Sequence, residues 1–351
     1  MTGKRMIIST LSLLLCVLSL VGIVNFCVDP LFQYHKPWFN MEPCITNERY
    51  QNAGVAKNLD FENVIIGNSM SENFIVSDVE RLFGGTTVKL TSSGSHNLDW
   101  SYLLNILNKR EDHPKNILIN FDPGFFDASS EVMQFELPEY LYDYNYFNDL
   151  EYLYNFALLK EYTLNTVLSN ITGNIPDYDT AFIWSKENDC GKDIVLATYA
   201  KDSKQKQNEE PSNIFYTEEN LSLTSEYIQS MQDTQFVFFT SPFSILYWKD
   251  KYDEGRLDDY KAQFEKSFTF FSQYDNVTVY FWTDAEMLNI ISDLDNYKDA
   301  QHYGFNVSKE IIKRMENNIG ILPKDEKDWK PLLNEFFNYL ESYDYDLIFE
   351  Q

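Results

Sequence analysis

Ser69, His302 and Asp299 are the residues whose types and spacing could do covalent chemistry. A serine hydroxyl is a weak nucleophile until a base takes its proton, and the chain of 351 residues holds four histidines from which that base can come. His35 follows an apolar N-terminal run, His113 lies in the polar turn Arg110 to Pro114, and His96 follows Gly94 in a stretch rich in serine. Only His302 has an acid at a spacing that could orient it. With Asp299 three residues earlier, the carboxylate can hold one ring nitrogen while the other faces Ser69, which is the logic of a serine triad. Ser71 is a weaker rival nucleophile. A plainer reading of the same residues makes Ser69 a helix cap and Asp299 with His302 a surface ion pair. What favours the triad is joint placement, one motif after the first expected strand and the other after the last.

Those side chains need a scaffold that brings residues 69 and 302 together. Val64, Ile65 and Ile66 form a short apolar run of the kind that fills a strand covered on both faces. Gly67 permits a tight turn at its end, leaving Ser69 at the carboxyl edge of the sheet, where ligands bind in open α/β folds. The pattern continues with a helix over 75–83, where Ser77 and Asp78 are early capping residues, a strand over 86–91 and the Ser92–Ser95 turn. A helix over 98–107 follows, with Leu103, Leu104 and Leu107 inward, and a third strand over 117–121. Three strand-turn-helix units in succession predict an α/β fold, a flavodoxin-like doubly wound parallel sheet of about five strands.

Residues 125–215 interrupt that rhythm. Tyr140, Tyr142, Tyr144, Tyr146, Phe147, Tyr152, Tyr154 and Phe156 stand there among acids. They suit either the core of a subdomain or a lining for sugar rings, and the block as a whole could cap the Ser69 edge. Lys201 to Pro211 reads as a mobile loop. The α/β pattern then resumes with a helix over 217–231, a strand over 235–240, a helix over 257–274 and a strand over 277–282. The stripe Tyr260, Phe264, Phe268 and Phe271 on the third of these is core. A helix over 306–318 closes the α/β domain, 61–322, and an acidic tail, 323–351, carries one more amphipathic stretch over 329–339.

At this point the chain resembles the SGNH, or GDSL-like, hydrolase family. The resemblance is carried by Gly67-Asn68-Ser69, by Gly94 after the second strand and by Asp299 and His302 near the end. It covers roughly residues 60–318, and more narrowly the chain is similar to membrane-anchored bacterial members associated with acylation or deacylation of cell-wall polymers and exopolysaccharides. It implies Ser69 as nucleophile, His302 as base, Asp299 as its orienter, and the Ser69 and Gly94 amides as oxyanion donors. Two positions depart from the family's pattern. Asn68 stands where the family usually has aspartate. Asp122 stands where its side-chain oxyanion donor is an asparagine. An ionised aspartate donates nothing and repels an oxyanion, whereas a protonated one can donate.

Residues 1–28 read as a membrane anchor. After Lys4 and Arg5 an uncharged run extends from Met6 to Val28 with Asn25 as its one strongly polar residue, and about 20 apolar residues in a helix span the hydrocarbon core. The basic residues before it predict a cytoplasmic N-terminus and an extracytoplasmic remainder. A cleaved signal peptide is the other reading, but no Ala-x-Ala-like site follows. Residues 29–60 form a juxtamembrane connector whose aromatic residues suit the membrane interface. Cys16 and Cys27 fall in the anchor, while Cys44 and Cys190 could form one disulfide or remain thiols.

A formal net charge of −26 excludes a nucleic-acid surface, which needs a basic footprint, and makes a neutral glycan an easier substrate than an anionic polymer. No Walker or dinucleotide motif and no metal-ligand spacing is present, so no cofactor and no metal are expected. The expected function is a serine esterase or O-acyltransferase acting on a cell-surface polysaccharide or other acylated glycan. The alternative is a non-catalytic accessory protein that binds a glycan or a membrane-bound O-acyltransferase.

Overall fold

The computed structural model describes residues 3–185, 189–206 and 214–349. They form two compact units: residues 61–135 with 182–351, and residues 1–60 with 136–181. The 125–215 block is thus divided, its ends belonging to the first unit and 136–181 to the second.

The first unit is built on five parallel strands, β1 (Asn63–Gly67), β2 (Thr87–Thr91), β3 (Asn116–Phe121), β4 (Gln235–Thr240) and β5 (Val277–Tyr280), in the order β2-β1-β3-β4-β5. Every residue of β1 and β2 is buried, as are the last five of β3 and β4. Continuous apolar runs rather than alternation are what strands covered on both faces require. From β1 the chain goes to β2 on one side and then returns past β1 to β3 on the other, so the crevice at the carboxyl ends of β1 and β3 is where the strand order changes direction. Ser69 follows β1 directly into that crevice.

The helix Leu257–Phe271 buries Tyr260, Phe264, Phe268 and Phe271. Phe121 from β3 meets the last three of these rings at centroid distances of 5.5–6.5 Å. The C-terminal helix Glu326–Ser342 adds Trp329, Leu333, Phe336, Phe337 and Leu340 to the same core.

Several expectations are corrected in detail. The helix over Val76–Phe83 is not capped by Ser77 or Asp78; its N-cap is Ile75, without a side-chain bond. Asp78 lies inside the first turn and accepts from Arg81 Nη1 at 2.9 Å instead. β5 ends at Tyr280 rather than at residue 282, because the Phe281 amide turns to the Gly320 carbonyl and Trp282 Nε1 donates to Thr240 O at 2.6 Å. The loop expected over Lys201–Pro211 begins as helix, Lys192–Lys206; residues 207–213 lie outside the described residues. Cys44 and Cys190 are both free thiols.

The second unit is organised by buried polar side chains. It contains the helix Gly3–Val28, which is long and apolar enough to span a membrane, and the helix Glu48–Asn58. Gln51 holds the connector together: its Nε2 donates to Pro30 O and Cys44 O, and its Oε1 accepts from the Thr46 and Asn47 amides. Asp29, left-handed at φ 45°, accepts from the amides of Gln33, Tyr34 and His35 and from Tyr152 Oη. Burial pushes its carboxyl above the ordinary carboxylate value despite those donors. Of the aromatic block, Tyr142 and Tyr152 are buried, whereas Tyr144, Tyr146, Phe147, Tyr154 and Phe156 are exposed.

Candidate active site

Gly67, where β1 ends, cannot carry a side chain: a Cβ there would collide with Asn120 Oδ1 and Ser71 Oγ. Asn68 then takes extended backbone and caps the short helix Ser69–Glu72, its Oδ1 accepting from Met70 N at 3.0 Å. The helix cap is therefore Asn68 and not Ser69, whose Oγ lies 2.8 Å from His302 Nε2. On the far side of the ring, His302 Nδ1 is 2.8 Å from Asp299 Oδ2 and 3.0 Å from Oδ1. A proton on Nδ1 shared with the carboxylate leaves Nε2 as the acceptor for the serine hydroxyl.

The loop bearing Asp299 and His302 is fixed by its own backbone and by its neighbours. Asp299 Oδ1 accepts from the Gln301 and His302 amides at 2.8 Å each. Tyr303 Oη donates to Met70 O at 2.6 Å, tying the loop to the Ser69–Glu72 helix. Burial pushes the Asp299 carboxyl up, but the hydrogen bonds and charge of His302, with the two amides, outweigh it and hold the carboxyl below its ordinary value. Asp299 thus stays ionised where it can stabilise an imidazolium.

Trp184 completes the support. Its Nε1 donates to Ser69 O at 2.9 Å, and its ring stands edge-on to His302 at 5.5 Å between centroids. Sequence reasoning missed it, because a single tryptophan in an irregular segment carries no motif. It also missed Asn120, whose Oδ1 accepts from the Asn68 amide at 3.1 Å and from Ser71 Oγ at 3.0 Å. An apolar-strand pattern with one asparagine near its end, Ile117 to Phe121, was the available signal. Ser71 is fully buried on Asn120 and faces no histidine, in contrast to Ser69.

The two positions that depart from the SGNH pattern touch each other. Asn68 Nδ2 donates to Asp122 Oδ2 at 3.2 Å, Asn120 Nδ2 donates to the same oxygen at 2.6 Å, and the Gly124 amide donates to Oδ1 at 2.9 Å. Burial still pushes the Asp122 carboxyl above the ordinary value. Gly94 is left-handed at φ 64°, which turns the backbone after Ser93 toward the site. Neither the Ser69 nor the Gly94 amide has an acceptor among the described residues.

Ser69, Gly94, Asp122 and His302 all line one cavity of about 430 Å³ within the sheet unit. His96 and Gln301 add polar groups to its wall, and Phe135, Phe243 and Tyr247 add apolar surface. His113 is elsewhere, its Nε2 3.2 Å from Asn108 O, and His35 stacks on Trp38 in the other unit. Among the described residues no group of three or more His, Cys, Asp or Glu side chains could hold a metal ion. A hydrogen-bonded serine, histidine and aspartate opening on a cavity with two amides without acceptors can activate a hydroxyl for attack on an ester carbonyl. Comparison with known proteins returns no match, either to a protein-family model or to a curated protein.

Proposed function

We propose that the chain is a serine esterase or O-acyltransferase of SGNH type that acts on acyl esters of a cell-surface glycan. Its observation is the relay from Ser69 Oγ through His302 to Asp299 at the crevice beside β1 and β3. In this reading Ser69 Oγ attacks the ester carbonyl as His302 Nε2 takes its proton. The Ser69 and Gly94 amides receive the oxyanion, and the alcohol leaves with the proton returned by His302. Water or a sugar hydroxyl then takes the acyl group by the same steps in reverse, with no cofactor. The strand order supports a flavodoxin-like, doubly wound arrangement, and the aromatic and polar cavity wall suits a sugar ester.

The same reading makes the Gly3–Val28 helix an uncleaved anchor with the sheet unit outside the membrane. Lys4 and Arg5 at its start support that orientation. Burial of Val21, Gly22 and Asn25 near its end supports retention, since these residues belong to the folded second unit.

One observation favours the accessory reading, in which the cavity binds a glycan, or a membrane-bound O-acyltransferase partner, without turnover. Asp122 borders the cavity where the family has an amide donor. A fluorophosphonate probe decides between them on the full chain in detergent or nanodiscs. The expected result is a covalent adduct at Ser69, found by mass spectrometry and abolished by Ser69→Ala and by His302→Ala. A folded chain with no adduct, tested alongside small acetyl esters, would overturn the enzyme reading.

A further inference from the structure

We propose that residues 150–172 form a platform that lies in the outer interfacial layer of a lipid bilayer, its apolar face against acyl chains, beside the Gly3–Val28 helix. The proposal rests on the reading of that helix as a membrane anchor. All the residues concerned belong to one compact unit.

The helix Leu164–Thr172 is amphipathic in the inverse sense. Its apolar stripe, Leu164, Leu168 and Ile171, is exposed at 53%, 57% and 77%. Its inward side is polar: Thr166 is buried, and the Asn170 amide donates to Thr166 O and Glu42 O while its Oδ1 accepts from the Glu42 amide. Just before it, buried Thr163 donates to Asn25 Oδ1. A helix in water turns such a stripe to the core and its polar face outward. The opposite arrangement is what hydrocarbon on the outside selects, with backbone and polar side chains satisfied within the protein.

The depth follows from the helix that the segment packs on. Counting about 20 residues for the hydrocarbon core from Met6, the first residue after Lys4 and Arg5, puts Gly22 and Asn25 at its far boundary. Tyr154 packs on Gly22 so closely that a Cβ there would lie 3.0 Å from Tyr154 Cε1. Asn25, fully buried, donates from Nδ2 to Leu153 O at 2.9 Å and to Asn155 O at 3.2 Å. The segment is thereby fixed at the height of the interface, and Leu150, Tyr154 and Phe156 are exposed there. Its exposed charges, Glu151, Lys160 and Glu161, all precede the Leu164 stripe. Tyr154 is the residue type enriched in such a layer, and the stem of Lys160 is long enough to reach from it to water. The lipid surface is continuous with that around the Gly3–Val28 helix, which singles it out over a protein partner as the occupant.

The test uses the full chain with its four cysteines replaced, in vesicles of phosphatidylcholine and phosphatidylglycerol. Nitroxide labels are attached through Leu150→Cys, Leu168→Cys and Ile171→Cys, with Leu13→Cys as the membrane reference and Asp258→Cys as the aqueous one. Collision with dissolved oxygen and with a water-soluble nickel chelate is compared by power saturation. At positions 150, 168 and 171 oxygen is expected to exceed nickel several-fold, as at position 13, and the ratio to invert at 258. Nickel exceeding oxygen at 168 and 171, with position 13 still in lipid, overturns the platform. Labels shielded from both reagents overturn it too, and point to a second copy or a protein partner. Nickel access at position 13 would instead show that the anchor reading has failed, and the platform with it.

Discussion

Asp122 is the side chain on which the chemistry of the site turns. Burial favours its protonated form and three neighbouring N–H groups favour the ionised one, and the net direction is upward. An acid whose folded value is raised contributes stability that is complete below its unfolded value, near the ordinary 3.8, and is lost as pH rises through the folded value. Asp122→Asn should remove that slope from denaturation curves measured across pH. The amide it introduces faces the Gly124 donor, at a cost of about 1–3 kcal/mol. Above neutral pH the same variant should gain several-fold in kcat/KM on a neutral ester, because it removes a carboxylate from the oxyanion's surroundings. An unchanged or lower value there would mean that the carboxyl itself takes part. Trp184 acts at one remove. Trp184→Phe loses the bond to Ser69 O, worth about 0.5–1.5 kcal/mol, so kcat should fall by up to about tenfold while KM stays near its original value.

At the scale of elements, the aromatic stripe of the Leu257–Phe271 helix is the seam that joins helix to sheet. Phe268, fully buried between Phe281 and Trp329, should cost roughly 3–5 kcal/mol when cut to alanine, read as a lower urea midpoint at unchanged m-value. Gly67→Ala should also be strongly destabilising and should disturb Ser69, since Asn120 and Ser71 leave no room for a methyl group. The strands and this stripe were legible in the sequence because burial writes itself there in short apolar runs, in alternation and in helical spacing. The contact between residues 69 and 302 was legible because so few histidines competed for the role. Trp184 and Asn120 were not, since hydrogen bonds to backbone carbonyls and amides impose no pattern on neighbouring residues. Nor was the exposed stripe of the Leu164–Thr172 helix, because spacing reveals that a helix has an apolar face but not whether protein or lipid covers it.

For the whole molecule, the charge of −26 bears on how a substrate of the proposed enzyme approaches. An anionic ester should be processed faster as ionic strength rises from about 10 to 150 mM, because screening shortens the reach of the repulsion to about 8 Å. A neutral glycan ester should show little change, and comparison of initial rates on the two separates them. Asn25 has a second consequence, for what becomes of the second unit when the N-terminal helix is cut away. Its amide is shared between the last turns of the Gly3–Val28 helix and the carbonyls of Leu153 and Asn155. A cut near Val28 that removed the helix would leave those carbonyls without their donor, so the rest of the second unit should be less stable without the helix than with it.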